Sequence, residues 1–526
     1  MLAARAWRPS HNVWLIAMSV MLATFMEVLD TSVATVSLPH IAGSLSATTN
    51  ESTWVLTSYL ISNAIILPTS GWLSNVLGRK RYQLFSVAVF TLASMWCGAA
   101  SNLVMLVAAR VLQGAAGGGL QPVSQAVLLE SFPVHKRGQA MAVYGMGIIV
   151  APLLGPLLGG WITDNYTWRW IFYINVPVGI LALLMIQSFV EDPPYIGRPK
   201  NLTIDYVGFG FMALALTTLQ VVLDKGQEAD WLSAVWVRWF LIISAVSFIV
   251  FIARELNTRS PIVNLRIFAD RNLATGTLLI GILGIVIYGT TALLPLFLQE
   301  QIGYSAYDSG FAVAPRGIGA ILSMIIAARL IGRVDERILM TIGILIRGAS
   351  LFMLGDLNLS MSMGSVIWPN IVNGLANGFL FVPLTTMAMK TLPNELMGAG
   401  TGLYNLIRNL GASVGISMVT TFLIRGEQAH QNYLVAHLNG SNPVYRSTLN
   451  QIAGYLALHN GSAAARRQAL GFIYQSLQQQ ATLSSYIDDF RLLGFISLVC
   501  LPFLLFFRNV KNRRSAEERE RLSAVH

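Results

Sequence analysis

Charged residues are scarce in this sequence. Asp, Glu, Lys and Arg make up 11% of its 526 residues, whereas about 25% is usual for a soluble domain. Hydrophobic residues make up 54%, and the mean hydropathy is +0.59. This composition argues against an ordinary soluble enzyme and predicts an all-α polytopic membrane protein, because a helix satisfies its own backbone hydrogen bonds within lipid.

Cysteines and enzyme motifs are also few. The two cysteines, Cys97 and Cys500, lie far apart in apolar runs, so the sequence predicts neither a disulfide framework nor a metal site. It shows no phosphate-binding glycine loop and no catalytic triad. We therefore expect no enzyme and no cofactor, with an ion gradient as the energy source. The net charge of +10 does not indicate nucleic-acid binding, because the basic residues are dispersed among short segments between apolar runs.

Apolar segments long enough to cross a bilayer recur along the chain. The fourteen predicted spans are residues 13–37, 51–75, 82–101, 103–128, 139–163, 171–190, 204–223, 234–254, 273–298, 306–331, 337–356, 364–388, 400–424 and 489–508. An even number of spans puts both termini on one side. Most of the 35 Lys and Arg residues fall in segments on that side, so the positive-inside rule predicts cytoplasmic termini.

An internal repeat relates the two ends of the chain at an offset of 260 residues. Turn-forming residues coincide at this offset: Gly114 with Gly374, Pro133 with Pro393, and Gly155 with Gly415. Many transporters are built from such halves, with the substrate site between them at mid-membrane. We predict a six-helix half at 1–190, a two-helix insert at 191–272, a second six-helix half at 273–508 and a cytoplasmic tail at 509–526.

One connection, residues 425–487, is long, and the topology places it outside. It is polar, with helix-like stretches at 442–459 and 462–485. A long structured loop is usually functional; a mobile periplasmic excursion is the alternative.

Two acids interrupt the first apolar run. Glu27 and Asp30 are three residues apart and so share roughly one helix face. An ionisable group at membrane depth costs at least about 2.5–3.5 kcal/mol on insertion scales, so it needs a partner or a water-filled cavity. Asp30 is therefore a proton or cation site, or else it belongs to a structural ion pair or reaches the outer interface.

Arg110 is the predicted partner of Asp30. Both lie about seven or eight residues from the outer ends of their helices, which corresponds to roughly 10–12 Å of depth. A nearby cation favours the ionised carboxylate, whereas removal from water favours the protonated one, and a proton-coupling site needs this balance. At the 260-residue offset, Asp30 corresponds to Thr290 and Arg110 corresponds to Asn370. The repeated fold therefore does not require charges at these positions. We predict that Asp30 carries the coupled proton and that Arg110 tunes it.

Motifs along the chain resemble those of one transporter family. They lie at 29–39, 71–80, 110–114, 151–160, 168–177 and 405–415. Together they resemble the major facilitator superfamily, and within it the fourteen-helix drug:proton antiporters of the EmrB/QacA type. The resemblance implies a 6+2+6 helix fold and proton-coupled multidrug efflux across the bacterial inner membrane by alternating access. It also implies an EmrA-like periplasmic adaptor, contacted at 425–487, and a TolC-like outer-membrane channel.

Two of these motifs imply moving parts. The helix 5 antiporter motif comprises Pro152, Gly155, Pro156, Gly159 and Gly160. Its small residues would let a neighbouring helix approach closely, and the segment would pack against the other half and seal the cavity as the halves rock. The loop motif between helices 2 and 3 comprises Gly71, Asn75, Gly78, Arg79 and Lys80. Asn75 stands where the superfamily usually has an acid, so we expect no strong salt-bridge latch there.

Polar residues in the spans are the candidates for the substrate cavity. They are Glu27, Gln113, Arg316, Asn405 and Arg408. Glu27 is also a candidate second proton site, with an ordinary polar helix face as the alternative. Arg316 and Arg408 would favour anionic substrates or pair with carbonyls and helix dipoles, and a structural role is favoured for Arg347.

Three other functions stay open from the sequence. They are a dedicated exporter of a siderophore, fatty acid or other natural product, a proton symporter for uptake, and a membrane sensor or scaffold that transports nothing. The helix 5 motif argues against uptake, and the sensor leaves the charges at positions 30 and 110 unexplained.

Overall fold

A computed structural model describes Trp7 and residues 9–196, 205–258, 261–460 and 462–508. These residues form helices and no β-strand. The α-helices are α1 (Val13–Ser44), α2 (Thr49–Ser52), α3 (Trp54–Leu77), α4 (Arg79–Gly98), α5 (Leu103–Gly117), α6 (Leu120–Ser131), α7 (Arg137–Asn165), α8 (Trp170–Tyr173), α9 (Asn175–Phe189), α10 (Tyr206–Lys225), α11 (Val235–Asn257), α12 (Arg271–Glu300), α13 (Ala306–Val313), α14 (Pro315–Leu330), α15 (Glu336–Leu354), α16 (Met363–Ala388), α17 (Met397–Val435), α18 (Pro443–Asn460) and α19 (Ser462–Val499).

Thirteen helical segments of the described residues are long and apolar enough to cross a membrane. The remaining predicted span is α4, which has 20 residues, about 30 Å of helix. Its first turn carries Arg79, Lys80 and Arg81, which makes it less apolar than the others. It packs among α5, α9 and α8, so it stands within the bundle. The prediction of an all-α fold with fourteen membrane helices is confirmed.

The helices pack mainly with partners from the same part of the chain. In the first half (α1–α9), α1 packs on α7 and α9, and α3 on α5. In the second half (α12–α19), α12 packs on α17, and α16 on α14 and α15. The halves meet along α3–α17 and α7–α14. The insert helices α10 and α11 pack on each other, and α10 also touches α3 and α17. The predicted tail at 509–526 lies outside the described residues.

The last two long helices continue well past the predicted ends of their spans. Helix α17 runs to Val435 rather than ending near 424, and α19 begins at Ser462 rather than near 489. The Ser485 hydroxyl donates to the Leu423 carbonyl at 2.7 Å, and α18 packs along α19. The two predicted helical stretches are therefore present, and both long helices continue without a break beyond the predicted ends of their spans. The described residues between 425 and 487 pack together as helices, and we call them the helical extension.

Close contacts between the halves lie at the terminal end of the bundle, where α1 begins and the last span ends. A Cβ atom built on Gly71 of α3 would lie 2.5 Å from the carbonyl carbon of Gly398 in α17. A Cβ atom on Gly138 would lie 2.9 Å from the Ile331 side chain. The Arg137 guanidinium donates to the Asn394 amide oxygen at 3.1 Å. The halves are thus in direct contact at the terminal end.

Candidate functional site

Asp30 and Arg110 form an ion pair inside the first half. Arg110 Nη1 lies 2.6 Å from Asp30 Oδ2. Asp30 is 2% exposed and Arg110 is fully buried. Burying each of the two charged groups costs roughly several kcal/mol of desolvation free energy. Additional hydrogen bonds to the pair are needed to offset this cost. The structure brings the predicted pair together, and its surroundings decide what the pair can do.

Two side-chain amides complete the surroundings of the Asp30 carboxylate. Gln113 Nε2 donates to Asp30 Oδ1 at 2.9 Å, and Asn175 Nδ2 donates to the same oxygen at 2.6 Å. Ser94 Oγ accepts from Asn175 at 2.9 Å and donates to the Phe172 carbonyl. The carboxylate thus accepts three charge-assisted hydrogen bonds from α5 and α9. Protonation of Asp30 would weaken these bonds between helices.

Arg110 has partners that do not depend on the charge of Asp30. Its Nε donates to the Val55 carbonyl at 3.0 Å, and its Nη1 donates to Gln113 Oε1 at 2.8 Å. Its guanidinium carbon lies 4.2 Å from the centre of the Tyr59 ring, a cation–π contact. Arg110 Nη2 has no hydrogen-bond partner among the described residues. The cation can therefore stay in place when Asp30 loses its charge.

The sequence did not single out Asn175, Ser94 and Tyr59 as site residues. Asn175 lies within the motif at 168–177, and its place there was the available signal. Ser94 and Tyr59 lie in apolar segments, where an isolated hydroxyl has no distinguishing pattern. Their roles follow from the packing of α3, α4 and α9 around α1.

Glu27 lies outside the Asp30 network. It is 4% exposed. Asn63 Nδ2 donates to Glu27 Oε1 at 3.1 Å, while Glu27 Oε2 has no hydrogen-bond partner in the described chain. The charge of Arg408 in the second half acts on this carboxylate. Glu27 is therefore a second, incompletely paired acid near the seam between the halves.

The other cavity candidates lie in the first half, at the seam between the halves and in the second half. Gln113 belongs to the Asp30 network. Asn405 Nδ2 donates to Gln125 Oε1 at 2.8 Å, and the Arg408 guanidinium donates to the Gln121 side chain. Both contacts join α17 to α6, so these residues connect the halves. Arg316, in α14, donates to Thr291 Oγ1 at 2.9 Å.

Two glycines of the helix 5 motif lie against α1. A Cβ atom on Gly155 would lie 2.1 Å from Ser32 Oγ, and one on Gly159 would lie 3.2 Å from Val33. Both partners are in α1, so the neighbouring helix that these two glycines approach belongs to the same half. Nothing lies within 4 Å of a Cβ atom on Gly160. Small residues let α7 approach another helix closely. Here that helix is α1, which carries Asp30.

The earlier part of α7 contacts the second half. A Cβ atom on Gly145 would lie 2.8 Å from Met324 and 3.0 Å from Phe381. Helix α7 therefore touches α1 through one set of glycines and the second half through another. Pro152 and Pro156 lie inside α7, and the Pro152 carbonyl accepts from Ser32 Oγ at 3.2 Å.

The loop motif contains a buried ion pair, but not at Asn75. Asn75 Oδ1 is buried without a hydrogen-bond partner among the described residues. Arg79 Nη2 lies 2.9 Å from Glu130 Oε1, and both side chains are almost inaccessible. Gly78 has φ of 91°, a left-handed conformation that favours glycine. The Lys80 ammonium donates to the Gln187 carbonyl at 2.6 Å. The buried ion pair near this motif is therefore made by Arg79 and not by Asn75.

Comparisons with known proteins agree with this architecture. The family model described as Major Facilitator Superfamily matches residues 20–416. The chain is 36% identical to Multidrug export protein EmrB of Escherichia coli (strain K12), over 95% of this chain and 96% of that protein. It is 35% identical to Fatty acid resistance protein FarB of Neisseria gonorrhoeae, over 95% of this chain and 96% of that protein. The crystal structure of the human organic anion transporter MFSD10 (TETRAN) has the same fold, with a TM-score of 0.60 at 13% identity, over 93% of this chain and 100% of that one. This chain therefore belongs to the Major Facilitator Superfamily, and within it to the family of the EmrB proteins.

Proposed function

We propose that this protein is a proton-coupled multidrug antiporter that exports amphipathic toxic compounds across the bacterial inner membrane by alternating access. The observation that carries the proposal is the Asp30 carboxylate, buried at membrane depth and bound to Arg110, Gln113 and Asn175. Ionisable groups inside membrane spans are typical of proton and substrate pathways. The names of the EmrB relatives support export of drugs.

In the proposed coupling, protonation of Asp30 first changes the contacts between α1 and its neighbouring helices. When Asp30 takes up a proton, the three hydrogen bonds that tie α1 to α5 and α9 weaken, while Arg110 keeps the Val55 carbonyl and the Tyr59 ring. Helix α1 also packs on α7 at Gly155 and Gly159, and α7 packs on α14 and α16. A shift of α1 would therefore reach the contacts between the halves. Substrate exchange on the opposite side of the cycle would return Asp30 to its ionised form.

The proposed orientation places both termini, and so the terminal end, in the cytoplasm. The basic residues in the predicted cytoplasmic segments support it. In that orientation the contacts at Gly71, Gly138 and Arg137 close the cytoplasmic entrance. The helical extension then rises into the periplasm.

We assign the helical extension to contact with an EmrA-like adaptor, which would lead to a TolC-like channel. Side-chain contacts join the helices of the extension: the His430 ring lies 2.8 Å from Asp488, and Gln431 donates to the Tyr474 hydroxyl at 3.1 Å. It also presents exposed aromatic side chains: Tyr433 and Tyr455 are 66% exposed and Phe472 is 55% exposed. Exposed aromatic residues of this kind are favoured at protein interfaces.

Replacing residues 436–469 by a short Gly/Ser linker should separate export across the envelope from transport across one membrane. The linker retains the Gln431–Tyr474 contact and the spans, so transport in inverted vesicles should stay near the parent level. Drug resistance in cells that also contain the adaptor and channel should fall to the level of a host without the pump. Equal resistance from the shortened and parent proteins would contradict the assigned role.

Reconstitution of the purified chain into liposomes tests the proposed function. An inward proton gradient should drive a lipophilic dye out of the liposomes against the concentration gradient of the dye. Addition of dye should in turn move protons in the direction opposite to the dye. Movement of dye and protons in the same direction would indicate an uptake symporter. No gradient-driven dye flux, in protein that is folded and inserted, would contradict the transport proposal and favour a sensor or scaffold.

A further inference from the structure

A cavity lies between the insert helices and the second half, at the end of the bundle opposite the terminal end. Its volume is about 580 Å³, within the usual range for a ligand pocket. One wall is formed by residues 230–233, which connect α10 to α11, together with Leu241 of α11. The other wall is formed by Thr421 and Arg425 of α17. The cavity therefore joins two parts of the chain and shares no residue with the Asp30 network.

The connection between α10 and α11 is held in a strained conformation beside α17. Asp230 and Trp231 have φ of 52° and 51°, a left-handed conformation that is rare for a bulky side chain. The Trp231 backbone N–H donates to the Gly226 carbonyl at 2.7 Å. The Trp231 indole N–H donates to Gln227 Oε1 at 2.9 Å and to Thr421 Oγ1 at 3.1 Å. These bonds hold the strained wall of the cavity against α17, and strain of this kind is common where ligands bind.

The cavity carries one charge of each sign. Arg425 Nη2 lies 3.7 Å from Asp230 Oδ1, and the two side chains are 57% and 78% exposed. An exposed ion pair contributes little to stability, so a ligand can replace it at low cost. The Ser233 hydroxyl donates to Asp230 Oδ2 at 3.2 Å. A guanidinium has five donors and a carboxylate about four acceptor sites, so both charged groups keep capacity for a ligand.

The surface around the cavity indicates its depth in the membrane. Leu232 and Trp239 are exposed, and tryptophan is enriched where a bilayer meets water. On α17, the exposed apolar Ile424 is followed by Arg425, so the apolar surface ends there. Arg425 lies roughly 40 Å along α17 from Gly398 at the terminal end, close to the thickness of a bilayer with its headgroups. The cavity therefore lies at the headgroup level of the leaflet opposite the terminal end.

We propose that this cavity binds a phospholipid with a primary-ammonium headgroup, whose phosphate pairs with Arg425 and whose ammonium pairs with Asp230. A guanidinium binds phosphate through two parallel hydrogen bonds, and a primary ammonium has three donors for a carboxylate. The acyl chains extend along Leu232 and Leu241 into the bilayer. The bound lipid joins the insert to α17. The inference goes beyond the proposed function, because it requires neither transport nor proton coupling.

Native mass spectrometry of the delipidated full-length protein tests the inference by measuring the affinity for the first bound lipid. The probes are phosphatidylethanolamine, phosphatidylcholine and phosphatidylglycerol with identical acyl chains. All three have the phosphate, but the choline group donates no N–H hydrogen bond and the glycerol group has no cation. Phosphatidylethanolamine should bind about three- to fivefold more tightly than either, the range expected from a partly exposed ion pair.

Two substitutions separate the roles of the charged groups. Asp230→Asn removes the anion, and asparagine tolerates the left-handed conformation at this position. It should abolish the preference for phosphatidylethanolamine over phosphatidylglycerol. Arg425→Gln should weaken the binding of all three lipids. The matched control is Arg238→Gln, which removes an exposed positive charge of α11 outside the cavity, and it should bind each lipid as the parent does.

Three results would overturn the inference. Equal binding of the three lipids by the parent, or an unchanged preference in folded Asp230→Asn, would indicate unselective annular lipid only. Parent-level binding of all three lipids by folded Arg425→Gln would remove the phosphate site. Glycerophosphoethanolamine, which has the headgroup without acyl chains, should not displace the lipid at an equal concentration. Displacement by this compound would assign the cavity to a soluble phosphate ester and reject the lipid.

Discussion

Asp30→Asn should abolish proton-driven export and leave an inserted protein in the membrane. Asparagine has the shape of aspartate and can still accept hydrogen bonds from Gln113 or Asn175, but it takes up no proton. Dye efflux from proteoliposomes under a proton gradient should fall to the background of empty liposomes, a loss of at least about tenfold, or 1.4 kcal/mol of coupling. Proton release on dye addition should disappear with it.

The same substitution removes the counter-charge of Arg110. Breaking a buried ion pair on one side typically costs about 3–5 kcal/mol, so the thermal unfolding temperature should also fall. Asp30→Asn combined with Arg110→Gln removes both charges and should recover stability without recovering transport. Asp164→Asn, an exposed acid at the end of α7, is the matched control and should transport normally. Full gradient-driven efflux by Asp30→Asn would reject the coupling role.

Gly71→Ala should destabilise the state that is closed at the terminal end. The new Cβ would lie 2.5 Å from the Gly398 carbonyl carbon and oxygen and 2.6 Å from the Ala399 nitrogen. These are backbone atoms and cannot rotate away, so α3 and α17 must separate. Overpacking of this kind costs about 1–3 kcal/mol, enough to shift the equilibrium roughly tenfold toward the open end. Export should slow accordingly.

Labelling from the terminal side measures this shift. Leu67→Cys places a thiol at a buried position of α3, and the native cysteines are both buried. An impermeant maleimide should label this thiol about tenfold faster when Gly71→Ala is present. Gly210→Ala in α10 is the control, because nothing lies within 4 Å of its Cβ atom. Unchanged labelling and export in Gly71→Ala would show that the contact does not control closure.

The charged part of the site could be predicted because charge is conspicuous in an apolar run. Asp30 and Arg110 stood out, and their matching depths followed from the helix rise alone. Asn175 and Ser94 complete the site with neutral groups, which cost little in a span and give no comparable signal. Glycines in α7 indicated a close helix contact, but spacing does not say which helix. Only the packing identified α1 as the partner of Gly155 and Gly159.

The ends of the long helices were harder to predict for another reason. Within α17 and α19 the apolar membrane part passes into a polar part without a helix-ending residue, so composition changes where the secondary structure does not. The loop motif presented a similar difficulty. Asn75 indicated a missing charge, whereas the buried Arg79–Glu130 pair joins residues 51 positions apart, a distance that local patterns do not span.

The insert helix α10 touches both parts that must move relative to each other. Its Gln220 side chain accepts from Ser413 of α17 at 3.1 Å, and the same helix packs on α3. A helix that contacts two parts moving relative to each other cannot keep all of its contacts with both. Each turnover must therefore stretch or replace some of these contacts, and their strength sets a limit on how far the halves swing. We therefore expect α10, one of the two helices that distinguish a fourteen-span chain from a twelve-span one, to limit the relative movement of the halves.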